Sequence, residues 1–283
     1  MAVLHTSAED RNRLGLELRR LRELAGKTLQ DAAARLHCSA AKVSRMETGH
    51  VSVRPLDMRE ILDCYGVGGA QRAALLSVVQ QQHERGWWRE YLDVIYSGYD
   101  LYVGYEETAT EIWEYQPQWI PGMLQTHGYA SALGSACGMD QDTANRLADL
   151  RLARQLALLG ENPPRLSVVI DDSALLRSVA QPGLMRDQLL QLARSAQTPG
   201  HTVRILPSTA GMHPGQTGGF IVLGFADAAD PRVAYTNNLT AGQLIREPEQ
   251  VSRYVWAYHR LTELALSPDE SAGLIKELAE KHD

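Results

Sequence analysis

The feature that most constrains this chain lies near its N-terminus, where Thr28 to Gly49 reads TLQDAAARLHCSAAKVSRMETG. Leu29, Ala32, Ala33 and Leu36 recur at helical spacing. Thr28 and Asp31 form a capping-box-like pair at the start of that helix, with Asp in place of the usual Glu. His37-Cys38 leaves room for only a very short connector. Ser39 suits the N-cap of a second helix, in which Val43 and Met46 face inward. Gly49 is placed to end it in the left-handed conformation. Upstream, Leu14, Leu18, Leu21 and Leu24 lie on one helix face, and Ala25-Gly26 stops that helix. Downstream, Pro55 suits the first turn of a fourth helix with Met58, Ile61, Leu62 and Tyr65 as its buried stripe. Gly66, Gly68 and Gly69 mark the edge of this all-α head, which spans residues 1–66.

Beyond the head the composition changes. A connector over residues 67–100 begins with a fifth helix, Ala70 to Arg85, and then turns aromatic. Trp87, Trp88, Tyr91, Tyr96, Tyr99, Tyr102, Tyr105, Trp113, Tyr115, Trp119 and Tyr129 are 11 of the 18 aromatic residues. Pro117 and Pro121-Gly122 break helical structure there. The body, residues 101–283, alternates between helical patterns and β-branched runs. Helices are expected over Gln141–Gly160, Leu184–Ala196, Pro248–Leu266 and Pro268–Lys281. Strands are expected over Leu166–Ile170, Val203–Leu206, Phe220–Leu223 and Arg232–Tyr235. The fold class is therefore an all-α helix-turn-helix N-terminal domain plus a mixed α/β C-terminal domain.

Charge divides along the same line. Residues 1–66 carry 11 basic and 9 acidic side chains, and the remainder carries 17 and 25. A basic head on an acidic body suits a nucleic-acid-binding module attached to something that does not bind nucleic acid. Cys38, Cys64 and Cys137 make no disulfide framework or Cys-x-x-Cys pair, which fits a reducing compartment. No stretch is apolar enough to span a bilayer, and the N-terminus lacks the features of a secretion signal. A cytoplasmic location without membrane contact is expected.

Two short helices joined by a tight turn, with small Ala33 at the crossing, match the helix-turn-helix plan. An ordinary α-hairpin does not account for a second helix whose outward face is Ala40, Ala41, Lys42, Ser44 and Arg45. Those side chains are small or are hydrogen-bond donors, and they suit a helix entering the major groove of double-stranded DNA.

Residues 11–66 resemble the Cro/repressor-type, or XRE-family, helix-turn-helix domain, and SAAKVSRMETG is similar to that family's recognition helix and exit turn. The resemblance implies DNA contact around Ser39, with Ala40, Ala41, Ser44 and Arg45 at bases. It places Lys42, His50, Ser52 and Arg54 near the sugar-phosphate backbone. Leu29 stands where many members carry a phosphate-binding Gln. His37 stands where Gly is common, which implies a turn of slightly different geometry. Further on, GWWREYLD, YVGYEETATEIWEYQPQWIPGMLQTHGYA, RLSVVIDDSALLR and VRILPSTAGMHPG are similar to the regulatory domain of actinobacterial transcription regulators, including the WhiJ-like group. In that group a small partner protein is often encoded beside the regulator. The resemblance thus implies a DNA-binding regulator controlled through its C-terminal domain.

Other readings of the body remain beside this one. Asp171-Asp172 at a strand end suits catalysis or metal binding, or else caps the helix beginning near Ser173. His213 lies in the glycine-rich GMHPGQTGG, which is not a Walker loop and reads as a mobile hairpin loop able to close over a ligand. The histidines show no His-Glu-x-x-His spacing, and there is no Gly-x-Ser-x-Gly elbow. We therefore expect no enzyme activity, metal or cofactor. Trp and Tyr suit core and interfaces alike, and Trp87, Trp88 and Trp119 are the candidate anchors for a partner protein. A homodimer on DNA is expected, because one small, mildly basic head reads few base pairs. The alternatives are an antitoxin-like member of a two-gene pair and an enzyme with a DNA-binding head.

Overall fold

The computed structural model describes residues 8–49, 53, 55–83, 88, 91–159, 163–177, 179, 181, 183–226 and 231–281. The chain forms two compact units, one built on residues 1–89 and the other on residues 90–225 and 232–283. An all-α unit carrying the helix-turn-helix is followed by one that combines a mixed sheet with helices.

The head contains α1 (Ala8–Leu24), α2 (Leu29–Leu36), α3 (Ala40–Glu47), α4 (Pro55–Cys64) and α5 (Gly69–His83). One apolar cluster joins them all. It gathers Leu14, Leu18 and Leu21 of α1, Ala32, Ala33 and Leu36 of α2, and Val43 and Met46 of α3. Met58, Ile61 and Leu62 of α4, Tyr65, and Leu75 and Val79 of α5 complete it. The fifth helix therefore belongs to the head's core. The head runs on past residue 66, and most of the expected connector is part of it. Leu24 departs from the expected stripe and is 71% exposed. Ten residues past Leu14 a straight helix has turned the side chain well off the buried face.

The body contains α6 (Tyr99–Glu106), β1 (Glu111–Gln116), α7 (His127–Ala136), α8 (Gln141–Ala157), β2 (Arg165–Asp171), α9 (Asp172–Leu176), α10 (Leu184–Ser195), β3 (His201–Leu206), β4 (Phe220–Gly224), β5 (Val233–Asn237), β6 (Gly242–Ile245), α11 (Pro248–Leu264) and α12 (Pro268–Lys281). The sheet order is β3-β2-β1-β4-β5-β6. β1, β2 and β3 run parallel, and β4, β5 and β6 pair antiparallel. Four strands lie where sequence periodicity puts them, and β1 and β6 are additional.

Alternation along β1 sorts the body into layers. Trp113 and Tyr115 point to the face covered by α11, where Trp113 stacks on Tyr258 at 5.2 Å and Tyr115 joins a cluster with Phe220, Ala257, Tyr258 and Leu261. Glu114 and Gln116 point to the opposite face, where α6 and α8 lie. The outer edge of β3 is closed by other groups: Ser271 Oγ accepts from Ile205 N at 2.9 Å, and Leu266 N donates to Ile205 O. The glycine-rich loop is not a hairpin. It joins β3 to β4, which lie on opposite sides of the β2–β1 pair. It packs down, since a β-carbon at Gly215 would meet the Tyr115 ring at 2.3 Å.

Candidate nucleic-acid interface

Local chemistry sets the two helices of the motif. Asp31 N donates to Thr28 Oγ1 at 3.1 Å and Thr28 N donates to Asp31 Oδ2 at 2.7 Å, completing the capping box. His37 ends α2 at φ 50°, ψ 47°, and is the one non-glycine residue with positive φ among those described. The turn thus takes the left-handed conformation in which glycine is common, and His37 takes it at the expense of a β-carbon clash. Ser39 caps α3 by accepting from Lys42 N at 3.1 Å. Gly49, at φ 73°, follows the C-cap Thr48.

Two contacts hold α3 in place, and sequence periodicity shows neither. Arg22 of α1 forms a two-pronged pair with Glu47, Nε to Oε1 at 2.7 Å and Nη2 to Oε2 at 3.0 Å. Gly15 of α1 lies against the last turn of α3, where a β-carbon would sit 2.6 Å from both Met46 O and Glu47 O. Ala33 is buried in the head's apolar cluster, while the close approach of backbones falls here, between α1 and α3. In the sequence its only signal is a glycine inside a leucine-bearing helix.

The predicted contact residues separate. Ala41 is exposed, and Ser39, Ala40, Ser44 and Arg45 are partly buried. Lys42 is 7% exposed, so it is not part of the outward face expected of it. It stands one turn before buried Met46 and beside Val43, where a long aliphatic stem packs along apolar surface. His50, Ser52 and Arg54 lie outside the described residues. Of the tryptophans, Trp87 also lies outside them, Trp119 is partly exposed, and Trp88 is 4% exposed. Burial at that level leaves Trp88 almost no surface for a partner. Most of the aromatic segment is interior too: Tyr99, Tyr102, Tyr105, Tyr115 and Tyr129 are all buried.

The body holds a polar centre that the sequence does not announce. Arg154 of α8 pairs with Glu106 of α6, Nε to Oε2 at 2.6 Å. It also donates from Nη1 to Tyr99 OH at 2.8 Å and from Nη2 to Tyr102 OH at 3.2 Å. Tyr102 OH donates in turn to Glu106 and stacks on Tyr235, with centroids 4.4 Å apart. Tyr235 OH donates to Tyr96 OH at 3.0 Å, and burial pushes the Tyr96 phenol up to about 12. Beside them, Gln116 Nε2 donates to Glu114 Oε1 at 3.1 Å. Burial pushes the Glu114 carboxyl up to about 7 against the pull of Arg154. Burial also lowers the pKa of Arg151, whose guanidinium Nη1 donates to Gln125 Oε1.

Asp171 and Asp172 both have structural partners. Asp171 caps α9, accepting from Ser173 N at 3.0 Å, and Asp172 accepts from Ser208 N at 2.7 Å. Among the described residues no three His, Cys, Asp or Glu side chains gather as metal ligands, and no helix is long and apolar enough to cross a membrane.

Comparison with known proteins agrees with the division of the chain. Residues 13–75 match a helix-turn-helix domain family, a stretch that runs through α1 and into α5. No curated protein and no solved structure matches the chain. Residues 99–277, which take in the whole sheet and its covering helices, match the family described as Domain of unknown function (DUF5753), and the chain belongs to that family.

Proposed function

We propose that this protein is a transcription regulator of the XRE and WhiJ-like kind that reads a specific double-stranded operator through α3 and is controlled through its body. The observation that carries the reading is the α2–α3 pair: a boxed first helix, a left-handed turn at His37 and a capped second helix pinned to α1 by Arg22 and Glu47. That construction presents the N-terminal half of α3 as a rigid unit, which is what reading base edges requires. Ala40 and Ala41 allow close approach and can touch thymine methyls, while Ser44 and Arg45 supply hydrogen-bond donors.

Arg45→Ala removes about 1–3 kcal/mol of discrimination at one base position. Titration of a selected operator and a scrambled duplex checks this, and equal losses on both would sink the base-reading role. The regulator binds as a homodimer on half-sites about one helical turn apart, because one head with few basic residues gains most of its affinity from a second. Light scattering showing a monomer both free and on the operator would contradict that.

The body is a non-catalytic control domain that senses or docks a partner, such as the small neighbouring protein that the WhiJ-like resemblance suggests. A partner favouring one head arrangement by ~1–3 kcal/mol shifts operator affinity about 5–150-fold. Operator affinity measured with and without the purified neighbour tests it, and no change would leave a small-molecule effector as the controlling partner.

A further inference from the structure

Among the described residues, Trp256 of α11 is the one exposed tryptophan or tyrosine, with 62% of its surface open. It makes no ring contact and no hydrogen bond with any described residue. An indole in that position forgoes the burial that makes tryptophan valuable in cores and interfaces. The body does not need it to hold the helix. α11 is fixed to the sheet by its other side, where Val251, Ala257, Tyr258 and Leu261 are buried.

The outward side of α11 has an order of its own. Glu249, Arg253, Trp256, Arg260 and Glu263 are all exposed. They follow one another at intervals of four, three, four and three residues, so they form one narrow stripe along the helix. Glu249 and Arg253 have no ion-pair partner among the described residues. Arg260 is held only by the exposed Glu263 of its own helix, at 2.9 Å. An ion pair so open to water contributes little and leaves the guanidinium available.

From Glu249 to Arg260 the stripe is a palindrome in spacing, and its chemistry is complementary to its own reverse. A second α11 can lie antiparallel along the first, with a two-fold axis between Tyr254 and Val255. Glu249 of each copy then faces Arg260 of the other, and Arg253 of each faces Trp256 of the other. Two carboxylates meet two guanidiniums, and two further guanidiniums lie over indole faces. No like charges stand directly opposite. A shift by one heptad also opposes Arg253 to Glu263 and Trp256 to Arg260, but it puts Glu249 opposite Ser267, past the end of the helix at Leu264.

We infer that the outward stripe of α11 is a self-association surface, on which a second copy of this chain packs its own α11 antiparallel with Trp256 as the anchor. Tryptophan and arginine are the residue types that dominate the energetics of interfaces, and here each supplies the other's partner. The inference rests on the reading of the protein as a homodimer and gives that dimer its contact.

Sedimentation equilibrium of the full chain, free and on the selected operator, tests both. The unmodified chain is a dimer. Trp256→Ala weakens dimerisation by about tenfold or more. Its Tm changes little, because the side chain is exposed. Glu249→Arg and Arg260→Glu each weaken the dimer about tenfold, since each change occurs twice across the axis, and the two together restore most of the loss. The charge reversals lie on the surface, so they decide the matter even if Trp256→Ala disturbs folding. An unmodified chain that is monomeric in both conditions overturns the homodimer and this surface with it. A dimer that survives all three single changes overturns the surface alone, and a double reversal as weak as its parents overturns the antiparallel pairing.

Discussion

Helix α3 of the head and strand β1 of the body are both short, and each carries several polar side chains at regular spacing. They place those side chains in opposite surroundings. α3 packs on one side only, against α1 and α2, so Ala41 faces outward and Ser44 and Arg45 keep partial exposure. β1 is the inner strand at which the sheet changes direction, with a strand on each side and a helix over each face. It has no outward side, so Glu114 and Gln116 are enclosed. A helix packed on one side can hold polar groups at low cost because water serves them. A strand covered on both faces can hold them only if other protein groups, or a ligand, complete their hydrogen bonds.

The contrast breaks most visibly at Arg154. Arg154→Met leaves the buried Glu106 carboxylate without its ion pair and should cost about 3–5 kcal/mol. Adding Glu106→Gln should restore a large part of that. Urea midpoints of the single and double variants check it, and a single variant as stable as the unmodified chain would mean that the body tolerates unpaired charge.

Next in size is the pH response of Glu114. Its folded-state value of about 7 lies above the ordinary 4.5, so the folded chain holds a proton that the unfolded chain has released between those two values. Its contribution to stability is complete below 4.5, is lost as pH rises through about 7, and is constant above that. The total loss is roughly 3 kcal/mol at 1.4 kcal/mol per unit. The charged and titratable groups around it are Glu106 and Tyr102 of α6, Arg151 and Arg154 of α8, and Tyr258 of α11. Glu114→Gln should flatten this part of the stability profile, and denaturant titrations across the interval would detect a slope that persists.

In the head, Arg22→Ala should cost about 2 kcal/mol, less than Arg154→Met because the Arg22–Glu47 pair is nearer to water. It should weaken specific and scrambled DNA alike, since it loosens α3 as a whole and changes no base-reading group. The smallest effect is a gain: His37→Gly should stabilise the head by about 0.5–1 kcal/mol, relief of the left-handed strain being partly offset by glycine's entropy. A loss of stability on thermal denaturation would show that the His37 side chain makes contacts worth more than the strain.

Much of the head was legible because its signals are local. Thr28 with Asp31, Ser39, Gly49 and the stripes of α2, α3 and α4 each depend on residues within one or two helical turns. Four strands of the body were legible for the same reason, as runs of β-branched residues. β1 was not. In Glu111-Ile-Trp-Glu-Tyr-Gln the two faces are both buried, so Glu114 and Gln116 interrupt the apolar alternation that marks a strand half open to water. The aromatic segment around it reads equally as surface or interior, and three of its tyrosines, Tyr96, Tyr99 and Tyr102, proved to line a polar centre while Tyr115 joins the apolar core on the other face.

What the sequence determined by itself was therefore the helix-turn-helix: its caps, its turn position and the small residues on α3, all set by interactions between neighbours in the chain. What only the tertiary structure decided was which charges meet. Arg22 finds Glu47 across 25 residues, Arg154 reaches Tyr99 across 55, and Lys42 goes inward on the shoulder of a buried stripe. The pairing of Arg154 with Glu106 results from how α6 and α8 are brought together in space. Burial and charge pairing depend on neighbours that are distant in sequence, and periodicity along one segment carries no information about them.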